Sequence, residues 1–595
     1  MRSPVLFRTA LAVPFLLAGL TGALLAQHPP NASGGPLLGE QASYDVTFYD
    51  LSIAVRPSDS SIGGTLTVHA DVVHPMDWLV LDLDTTFTVG STKLIGFGGE
   101  WPLHFERRGG RIWIALPFTR QPGQQITVEV AYEGRPRAVP PRGFGGFLWT
   151  ETPSGDPWIA VSCEIFGADL WWPVKDHPSD EPDSMALNIT VPEPLVVATN
   201  GKLRDVSANA DGTRTYHWFV STPINNYGVS LNIAPYEELT TPYESVDGET
   251  HTVHFWVLPE NVEKARAALP GFLDHLRHFE EMLGPYPFWE DKYGIAEVPY
   301  LGMEHQTIIA YGANYRFDAM ARIDWGFDGL HQHELAHEWF GNQVTPADFK
   351  DLWLNEAFAQ YSQPLYAESR LGKEKAQEIQ AIHRSRIRNN LPIAAREPRT
   401  AGQAYAASIY YKGAWVLQSL RYLMGDEAFF ETLRRWTYPE SPLVATTGSC
   451  NCRFATTDDF VRLASEVAKD DLRWFFEVYV RQPVLPRLMV EREGERMSLS
   501  WDVPNGLAFP MPVDVSVDGH VGRVLMPGNS TTITVPAGTF KAFRVRATNT
   551  LGEDDTNWFS PKLGIFVKRH RVRTVKHARG PGTRDVELAS QDIVK

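Results

Sequence analysis

Alternating apolar and polar positions dominate the first third of the chain. From residue 44 to about residue 240, short alternating runs such as residues 126–130 are separated by clusters of Gly, Pro and Asp. Successive side chains of a strand point to opposite faces, so a period of two predicts half-buried strands joined by turns. The pattern indicates a mostly β domain at residues 27–240. Residues 134–147, rich in Pro, Gly and Arg, are predicted to be a loop within it.

The hydrophobic period changes near Pro259, from alternation to the spacing of an α-helix. One predicted helix face consists of apolar residues three or four positions apart, namely Phe272, Leu276, Phe279 and Leu283. Gly284 and Pro285 predict the end of that helix. Helical patterning continues to about residue 480, and strand patterning returns after Pro483. We therefore expect a largely helical unit at residues 241–482 and a C-terminal β domain at residues 483–595.

Composition is that of a large globular protein. The 595 residues are too many for one hydrophobic core and suggest three or four structural units. Hydrophobic residues make up 43% of the chain and charged residues 21%, which are ordinary globular values. A formal net charge of −16 disfavours binding to nucleic acid or to an anionic membrane, so we expect neither as a partner.

The N-terminus has the features of an export signal. Arg2 and Arg8 precede or flank an apolar stretch at residues 10–26, and the small residues Ala23 and Ala26 offer cleavage points. We predict a signal peptide at residues 1–26 and a periplasmic or extracellular location. An uncleaved leader that anchors the protein is the alternative. No later segment approaches 18 apolar residues, so we expect no stable membrane span after signal removal.

The three cysteines do not form a disulfide framework. Cys450 and Cys452 are separated by one residue, and a bridge between such close neighbours is predicted to be strained. They could oxidise in an exported protein, although no feature of the sequence requires it. Cys163 has no adjacent base or nucleophile motif and is predicted to be a small buried hydrophobic residue.

One motif has the ligand set of a catalytic zinc site. His333 and His337 frame the run HELAH, and Glu356 follows after 18 intervening residues. On a helix, residues at i and i+4 lie on one face, so both imidazoles can bind one ion. Two histidines and one carboxylate leave a fourth zinc position open, as catalytic rather than structural sites do. Glu334 would then act as the general base, whereas the competing interpretation is a solvated, charged helix without metal.

Several segments together resemble a known family. The run HELAHEWFGNQ, the 18-residue spacer and WLNEAFAQY are similar to the gluzincin metallopeptidases of the aminopeptidase N family, which includes leukotriene hydrolase. Residues 162–164, 171–178, 301–305 and 410–413 agree with that family in order and spacing. The resemblance spans about residues 40–485.

The resemblance implies a multidomain α+β architecture. The family has an N-terminal β saddle followed by a thermolysin-like α/β zinc-peptidase domain, which we expect at residues 27–240 and 241–482. Many relatives carry a long C-terminal helical superhelix. This chain is too short and its end too rich in strand patterns to contain one, so we expect a C-terminal β domain instead.

The resemblance also assigns roles to individual residues. A tyrosine of a Y-x-K-G motif donates a hydrogen bond to the oxyanion, which corresponds to Tyr410, with the adjacent Tyr411 as a rival in the sequence. In the family, two carboxylates bind the α-ammonium group of the substrate. They correspond here to Glu164, at the end of residues 162–164, and to Glu304 of the segment that also contains Gly302 and Met303.

The same two segments depart from the family pattern. Leu301 replaces the first glycine of the G-x-M-E-N motif, His305 replaces its asparagine, and Ser162 replaces a usual glutamine. These departures put the substrate-backbone contacts and the pocket shape in question.

The sequence as a whole predicts a secreted aminopeptidase that uses one Zn²⁺ per chain. Its substrates would be peptides with a free N-terminus, because two carboxylates would pair with the α-ammonium group. Three alternatives remain open: a thermolysin-like endopeptidase, an epoxide hydrolase on the same scaffold, and a catalytically silent peptide-binding protein.

Overall fold

A computed structural model describes most of the chain. It covers residues 32–96, 98–137, 145–439, 450–493, 495–517, 520–534 and four strands at 543–548, 553–560, 565–573 and 582–587. The predicted signal peptide at residues 1–26 lies outside the described residues. Within the described part of the chain, no helix has the length and apolar character needed to cross a membrane.

The N-terminal region is built almost wholly of strands. They are β1 (Tyr44–Arg56), β2 (Ser61–Val72), β3 (Met76–Asp82), β4 (Phe87–Gly96), β5 (Gly99–Pro102), β6 (Phe105–Arg108), β7 (Arg111–Arg120), β8 (Gln125–Gly134), β9 (Gly146–Glu151), β10 (Pro157–Ser162), β11 (Ser184–Pro192), β12 (Val196–Ala198), β13 (Lys202–Ala208), β14 (Thr213–Val220) and β15 (Asn232–Ala234). Buried and less buried positions alternate along β1, β8 and β11, as the sequence pattern predicts.

Three sheets organise these strands. The largest has eight strands in the order β13-β14-β11-β1-β2-β8-β4-β5, and a three-stranded sheet has the order β3-β7-β6. A four-stranded sheet, β12-β15-β10-β9, matters most for the site. Its strand β10 ends at Ser162, and the chain continues directly into Cys163 and Glu164. This strand end is therefore what brings Glu164 to the neighbouring helical region.

A five-stranded sheet begins the second region. It has the order β16-β17-β18-β20-β19, formed by β16 (Glu237–Glu244), β17 (Thr250–Val257), β18 (Tyr293–Glu297), β19 (Gly302–Met303) and β20 (Ile309–Tyr311). Strand β16 crosses the boundary predicted at residue 240, and it pairs with β17 of this sheet. The sheet thus includes residues from Glu237 onwards. A short parallel pair, β21 (Val344–Pro346) and β22 (Arg453–Ala455), lies farther along the chain.

Nine α-helices lie in this region of the described chain. They are α1 (Val262–Leu283), α2 (Gly329–Ala336), α3 (Trp353–Leu371), α4 (Lys373–Arg386), α5 (Ala401–Ala404), α6 (Ala407–Met424), α7 (Asp426–Thr437), α8 (Thr457–Ala468) and α9 (Arg473–Tyr479). Helix α1 contains the predicted apolar face and is followed by Gly284 as its C-cap. Helix α3 packs against both α2 and α6, and these three helices carry the candidate zinc ligands and Tyr410.

The C-terminal region returns to strands. The described residues form β23 (Arg487–Glu493), β24 (Arg496–Asp502), β25 (Val513–Val517), β26 (His520–Val524), β27 (Ser530–Thr534), β28 (Phe543–Thr548), β29 (Glu553–Ser560), β30 (Ile565–Arg573) and β31 (Gly582–Glu587). Beyond α9, the described part of the chain contains strands and short 3-10 turns but no α-helix. The predicted multidomain α+β fold class is confirmed by these elements.

The cysteines take two different states. Cys450 and Cys452 form a disulfide, a pairing that the sequence left open. Cys163 is a free and fully buried thiol, and burial, followed by the negative charges of Asp176 and Asp169, raises its pKa. A thiol that stays protonated in an apolar setting is a poor nucleophile, which agrees with a packing role.

Candidate active site

Helix α2 presents the two histidines. Asp328 caps its first turn, because its carboxylate accepts hydrogen bonds from the backbone N–H groups of Leu330 and His331. The helix ends at Ala336. His337 still has helical dihedral angles (φ −66°, ψ −19°), so His333 and His337 share one face.

The third predicted ligand comes from α3. Glu356 lies in its first turn and is buried against the two histidines. The Nε2 atoms of His333 and His337 are 3.3 Å apart, and Glu356 Oε2 lies 3.3 and 3.5 Å from them. Ligand atoms around a tetrahedral zinc ion with bonds of about 2.0–2.1 Å are separated by roughly 3.3–3.4 Å. The triangle therefore fits Zn²⁺ without rearrangement.

The orientation of His337 agrees with metal binding. Its Nδ1 lies 3.1 Å from the carbonyl oxygen of Phe340, to which a proton on Nδ1 can be donated. That tautomer leaves the Nε2 lone pair facing the other two ligand atoms. The hydrogen bond to the Phe340 carbonyl therefore orients the His337 imidazole for metal binding.

Glu334 lies beside the triangle and close to Gly302 of strand β19. A Cβ atom on Gly302 would lie 2.8 Å from Glu334 Oε1, so only glycine lets the β19 backbone approach the carboxylate this closely. Burial, and then the nearby charge of Glu304, raise the pKa of Glu334. A raised pKa brings a carboxylate closer to the range in which a general base works well.

Tyr410, on helix α6, contacts Glu356 of the ligand triangle. Its hydroxyl donates a hydrogen bond to Glu356 Oε1. Helices α6 and α3 can approach this closely because Gly413 has no side chain. A Cβ atom at Gly413 would lie only 2.4 Å from the Cβ of Ala357 on α3. Burial, and then the Glu356 charge, raise the pKa of Tyr410, so its hydroxyl keeps the proton that it can donate.

The neighbouring tyrosines have different partners. The Tyr405 hydroxyl lies 2.5 Å from that of Tyr410, which makes a tyrosine pair at the edge of the triangle. Tyr411 instead accepts a hydrogen bond of 2.9 Å from Arg386. The geometry therefore favours Tyr410 over Tyr411 as the oxyanion donor, because only Tyr410 contacts a candidate zinc ligand.

Two predicted amine-binding carboxylates meet at this site from separate sheets. Glu164 follows β10, Glu304 follows β19, and the backbone carbonyl of Glu304 accepts a 3.0 Å hydrogen bond from Asn342. Tyr300 ties the two segments together, since its hydroxyl donates to the carbonyl of Val161 at 2.7 Å. Atoms of Glu304, Glu334 and His337 lie within 4.8 Å of one another. The fold thus brings the acids next to the zinc ligands.

Both acids have unused hydrogen-bonding capacity. Glu164 and Glu304 are buried, and one carboxylate oxygen of each has no hydrogen-bond partner among the described residues. Burial raises the pKa of both groups, and the charge of Glu304 raises the pKa of Glu164 further. Buried carboxylates in this state are stabilised by an incoming cation.

The site opens into a cavity of about 390 Å³. Its lining combines the candidate catalytic groups with an apolar wall and contains no lysine or arginine, comprising Glu164, Leu301, Gly302, Met303, Glu304, Met320, Leu330, His333, Glu334, His337, Glu356, Gln360, Tyr405, Ala407, Tyr410 and Tyr411. All nine predicted site residues therefore line one cavity. Its charge suits a divalent metal and an ammonium group.

Comparison with known proteins agrees with this geometry. Residues 280–479 match the description "Peptidase family M1 domain". An M1 zinc metallopeptidase from Deinococcus radiodurans, solved as a mutant, has a similar structure, with a TM-score of 0.62 and 25% identity, covering 77% of this chain and 99% of that one. Over this domain the chain is similar to the aminopeptidase N-like gluzincin family.

Two curated relatives match this chain over only part of their own length. Aminopeptidase N of Haemonchus contortus is 27% identical over 53% of this chain and 34% of its own length. Leucyl aminopeptidase of Saccharolobus solfataricus is 25% identical over 66% of this chain and 50% of its own length. The chain thus spans half or less of these two relatives.

The three departures from the family motifs have different surroundings in the structure. Leu301 is 43% exposed and lies at the cavity lining, so a side chain now occupies a position where the family has glycine. His305 is fully buried, and burial lowers its pKa to about 3, which keeps the imidazole neutral. Ser162 Oγ contacts Met303 Sδ at 3.8 Å, which links the segments that precede Glu164 and Glu304.

Five residues of the cavity lining were not predicted from the sequence, namely Met320, Leu330, Gln360, Tyr405 and Ala407. Gln360 lies four positions after Glu356, so helical spacing alone could have placed it on the same face of α3. Tyr405 and Met320 lie outside the family motifs and carry no periodic signal. Only the tertiary fold brings these two side chains to the cavity.

Proposed function

We propose that the protein is an exported zinc aminopeptidase that removes residues one at a time from the N-terminus of peptides. The observation that carries this proposal is the pair of buried carboxylates, Glu164 and Glu304, beside the zinc-ligand triangle. Each has an oxygen without a partner among the described residues. A free α-ammonium group would pair with both and would hold the first peptide bond next to Glu334.

The remaining residues supply the steps of peptide hydrolysis. Zinc, when bound, would polarise the scissile carbonyl and acidify a water molecule. Glu334 would accept a proton from the attacking water and return one to the leaving amine. The Tyr410 hydroxyl would donate a hydrogen bond to the oxyanion of the tetrahedral intermediate. We further propose one zinc per chain, since the described residues form one triangle of two histidines and a glutamate.

A matched pair of peptides tests the exopeptidase assignment. One peptide has a free N-terminus and its twin is N-acetylated, so that only the cation is removed. We expect cleavage to fall by at least about 10²-fold on acetylation, because two carboxylates then remain unpaired in the closed pocket. Mass spectrometry should show ladders shortened from the N-terminus. Internal fragments from the acetylated peptide would instead indicate an endopeptidase.

Export is the second part of the proposal. The basic residues and apolar stretch before Gln27 support it. Expression of the full chain, followed by cell fractionation and N-terminal sequencing, should yield a processed protein outside the cytoplasm that starts near residue 27. Recovery of an unprocessed chain in the membrane fraction would favour the anchored alternative.

A further inference from the structure

Gln360 places an amide at the cavity wall, one helical turn beyond Glu356. Its side chain is buried and lines the same cavity as the candidate zinc ligands. Its Oε1 atom has no hydrogen-bond partner among the described residues. A buried carbonyl oxygen without a partner is uncommon in folded proteins and points to a group that is absent from the structure.

Neighbouring hydrogen bonds fix which end of the amide is unpaired. Gln363 Nε2 donates to the carbonyl of Gly329 at 2.8 Å, so Gln363 must present Oε1 on its other side. Gln360 Nε2 donates to that oxygen at 2.5 Å. A flipped Gln360 amide would set two oxygens against each other. Oε1 of Gln360 is therefore the amide atom that has no hydrogen-bond partner among the described residues.

His383 supports the same orientation. Its Nε2 lies 2.8 Å from Gln360 Nε2 and accepts a hydrogen bond from it when the ring proton of the neutral imidazole is on Nδ1. Burial, and then the charge of Arg386, lower the pKa of His383 to about 3, so the ring is neutral over the physiological range. The Gln360 amide is thus held by two acceptors and cannot rotate without losing both bonds.

The cavity that Gln360 lines also includes four apolar side chains, those of Leu301, Met320, Leu330 and Ala407. In such a pocket, one fixed acceptor discriminates between side chains of equal size by their ability to donate a hydrogen bond.

Building on the proposed function, we propose that Gln360 Oε1 selects the first residue of the peptide substrate. It accepts a hydrogen bond from that residue's side chain, so that peptides beginning with a hydroxyl or carboxamide side chain are preferred over those with apolar counterparts. Gln360 is a specificity residue in this scheme, and Gln363 is a positioning residue that acts through it.

Pairs of aminoacyl substrates that differ in one donor group test this directly. The pairs are Tyr and Phe, Gln and Met, and Ser and Ala, each on the same fluorogenic leaving group. We expect kcat/KM of the wild-type enzyme to favour the donor member of at least one pair by about 10-fold or more. Ratios near one for all three pairs would overturn the inference, because an enclosed structural water would then satisfy Gln360.

Three variants test whether Gln360 causes the preference for donor side chains. Gln360→Met removes the acceptor at similar size and should bring the favoured ratio to about one or below. Gln363→Met, which frees the amide to turn, should reduce the ratio without abolishing activity. Leu301→Met is the matched control, since it changes an apolar residue of the same cavity and leaves Gln360, Gln363 and Met320 in place, and it should keep the wild-type ratio. Ratios are independent of the folded fraction, so partial instability of a variant does not affect them.

A binding measurement separates this inference from the proposed function. Calorimetry with free L-tyrosine and L-phenylalanine on the zinc-loaded protein needs no turnover, and tyrosine should bind about 10-fold more tightly if the Tyr and Phe pair shows the kinetic preference. Activity on all six substrates without discrimination overturns the role of Gln360 alone. Absence of aminopeptidase activity from all six overturns the proposed function and, with it, this inference.

Discussion

The two halves of the cavity are built in different ways. The zinc half takes its ligands from α2 and α3, adjacent helices whose four-residue and 18-residue spacings are visible in the sequence. The amine half takes Glu164 and Glu304 from the ends of β10 and β19, strands of two different sheets. Local helix geometry therefore determines the first half, whereas tertiary packing determines the second.

The halves also differ in charge compensation. In the zinc half, Glu356 faces two imidazoles and accepts a hydrogen bond from Tyr410. In the amine half, Glu164 and Glu304 each keep a carboxylate oxygen without a partner among the described residues. Zinc would nearly complete the first half, and the proposed substrate ammonium group would complete the second. Mutations should affect turnover in the zinc half and substrate discrimination in the amine half.

The largest expected effect is on turnover. Glu334→Gln should lower kcat by about 10³-fold or more, because an amide cannot accept the proton of the attacking water. Zinc content should stay at the wild-type value, since Glu334 is outside the ligand triangle. Elemental analysis and steady-state kinetics measure both quantities. His337→Ala is the comparison, because it should lose metal and activity together, and full activity of either variant would refute the role of the zinc half.

Tyr410→Phe should have the next largest effect. The change removes one hydroxyl and should lower kcat by about 10²-fold with little change in KM, because oxyanion stabilisation belongs to the transition state. Tyr411→Phe is a matched control on the same helix, where the hydroxyl bonds to Arg386 instead. Steady-state kinetics of the two variants show which tyrosine donates to the oxyanion. A large loss of kcat in Tyr411→Phe alone would assign that role to Tyr411 instead of Tyr410.

The difference between the halves explains how much the sequence could predict. The zinc triangle and Glu334 follow from residue type and helical spacing. The change from strands to helices and back follows from the hydrophobic period, although β16 crosses the boundary predicted at residue 240. Placing Glu164 beside Glu304 required the family resemblance, since 139 residues lie between them and no local period relates them. Tyr405 and the orientation of the Gln360 amide depend on contacts between distant segments. Such contacts leave no pattern in a single sequence.

Glu304→Gln should sharpen the comparison in the amine half. The amide keeps the shape but loses the charge, so kcat/KM for peptides with a free N-terminus should fall by about 10-fold to 10²-fold. The N-acetylated twin never offered a cation, and its slow cleavage should change little. The ratio between the two substrates should therefore narrow. An unchanged ratio, with both substrates equally slowed, would assign Glu304 to turnover and would remove the distinction between the halves.

Gly413 should give the smallest effect on catalysis and a measurable effect on stability. Its missing side chain lets α6 pack on Ala357 of α3, and an added Cβ at 2.4 Å would force the helices apart. Gly413→Ala should lower the free energy of unfolding by about 1–3 kcal/mol, as overpacking of a core does. It should also reduce kcat several-fold, because Tyr410 and Glu356 lie on the two separated helices.

Gly402→Ala is the matched control for this prediction. It is also helical, on α5, but an added Cβ would have no neighbouring atom within 4 Å. Helix propensity alone should then leave it as stable as wild type or stabilise it by up to about 1 kcal/mol. Urea unfolding at fixed zinc concentration, together with kcat, compares the two variants. If Gly413→Ala matched Gly402→Ala in both measurements, the close approach of α6 to α3 would not be what positions Tyr410, and the zinc half would tolerate looser packing than its geometry indicates.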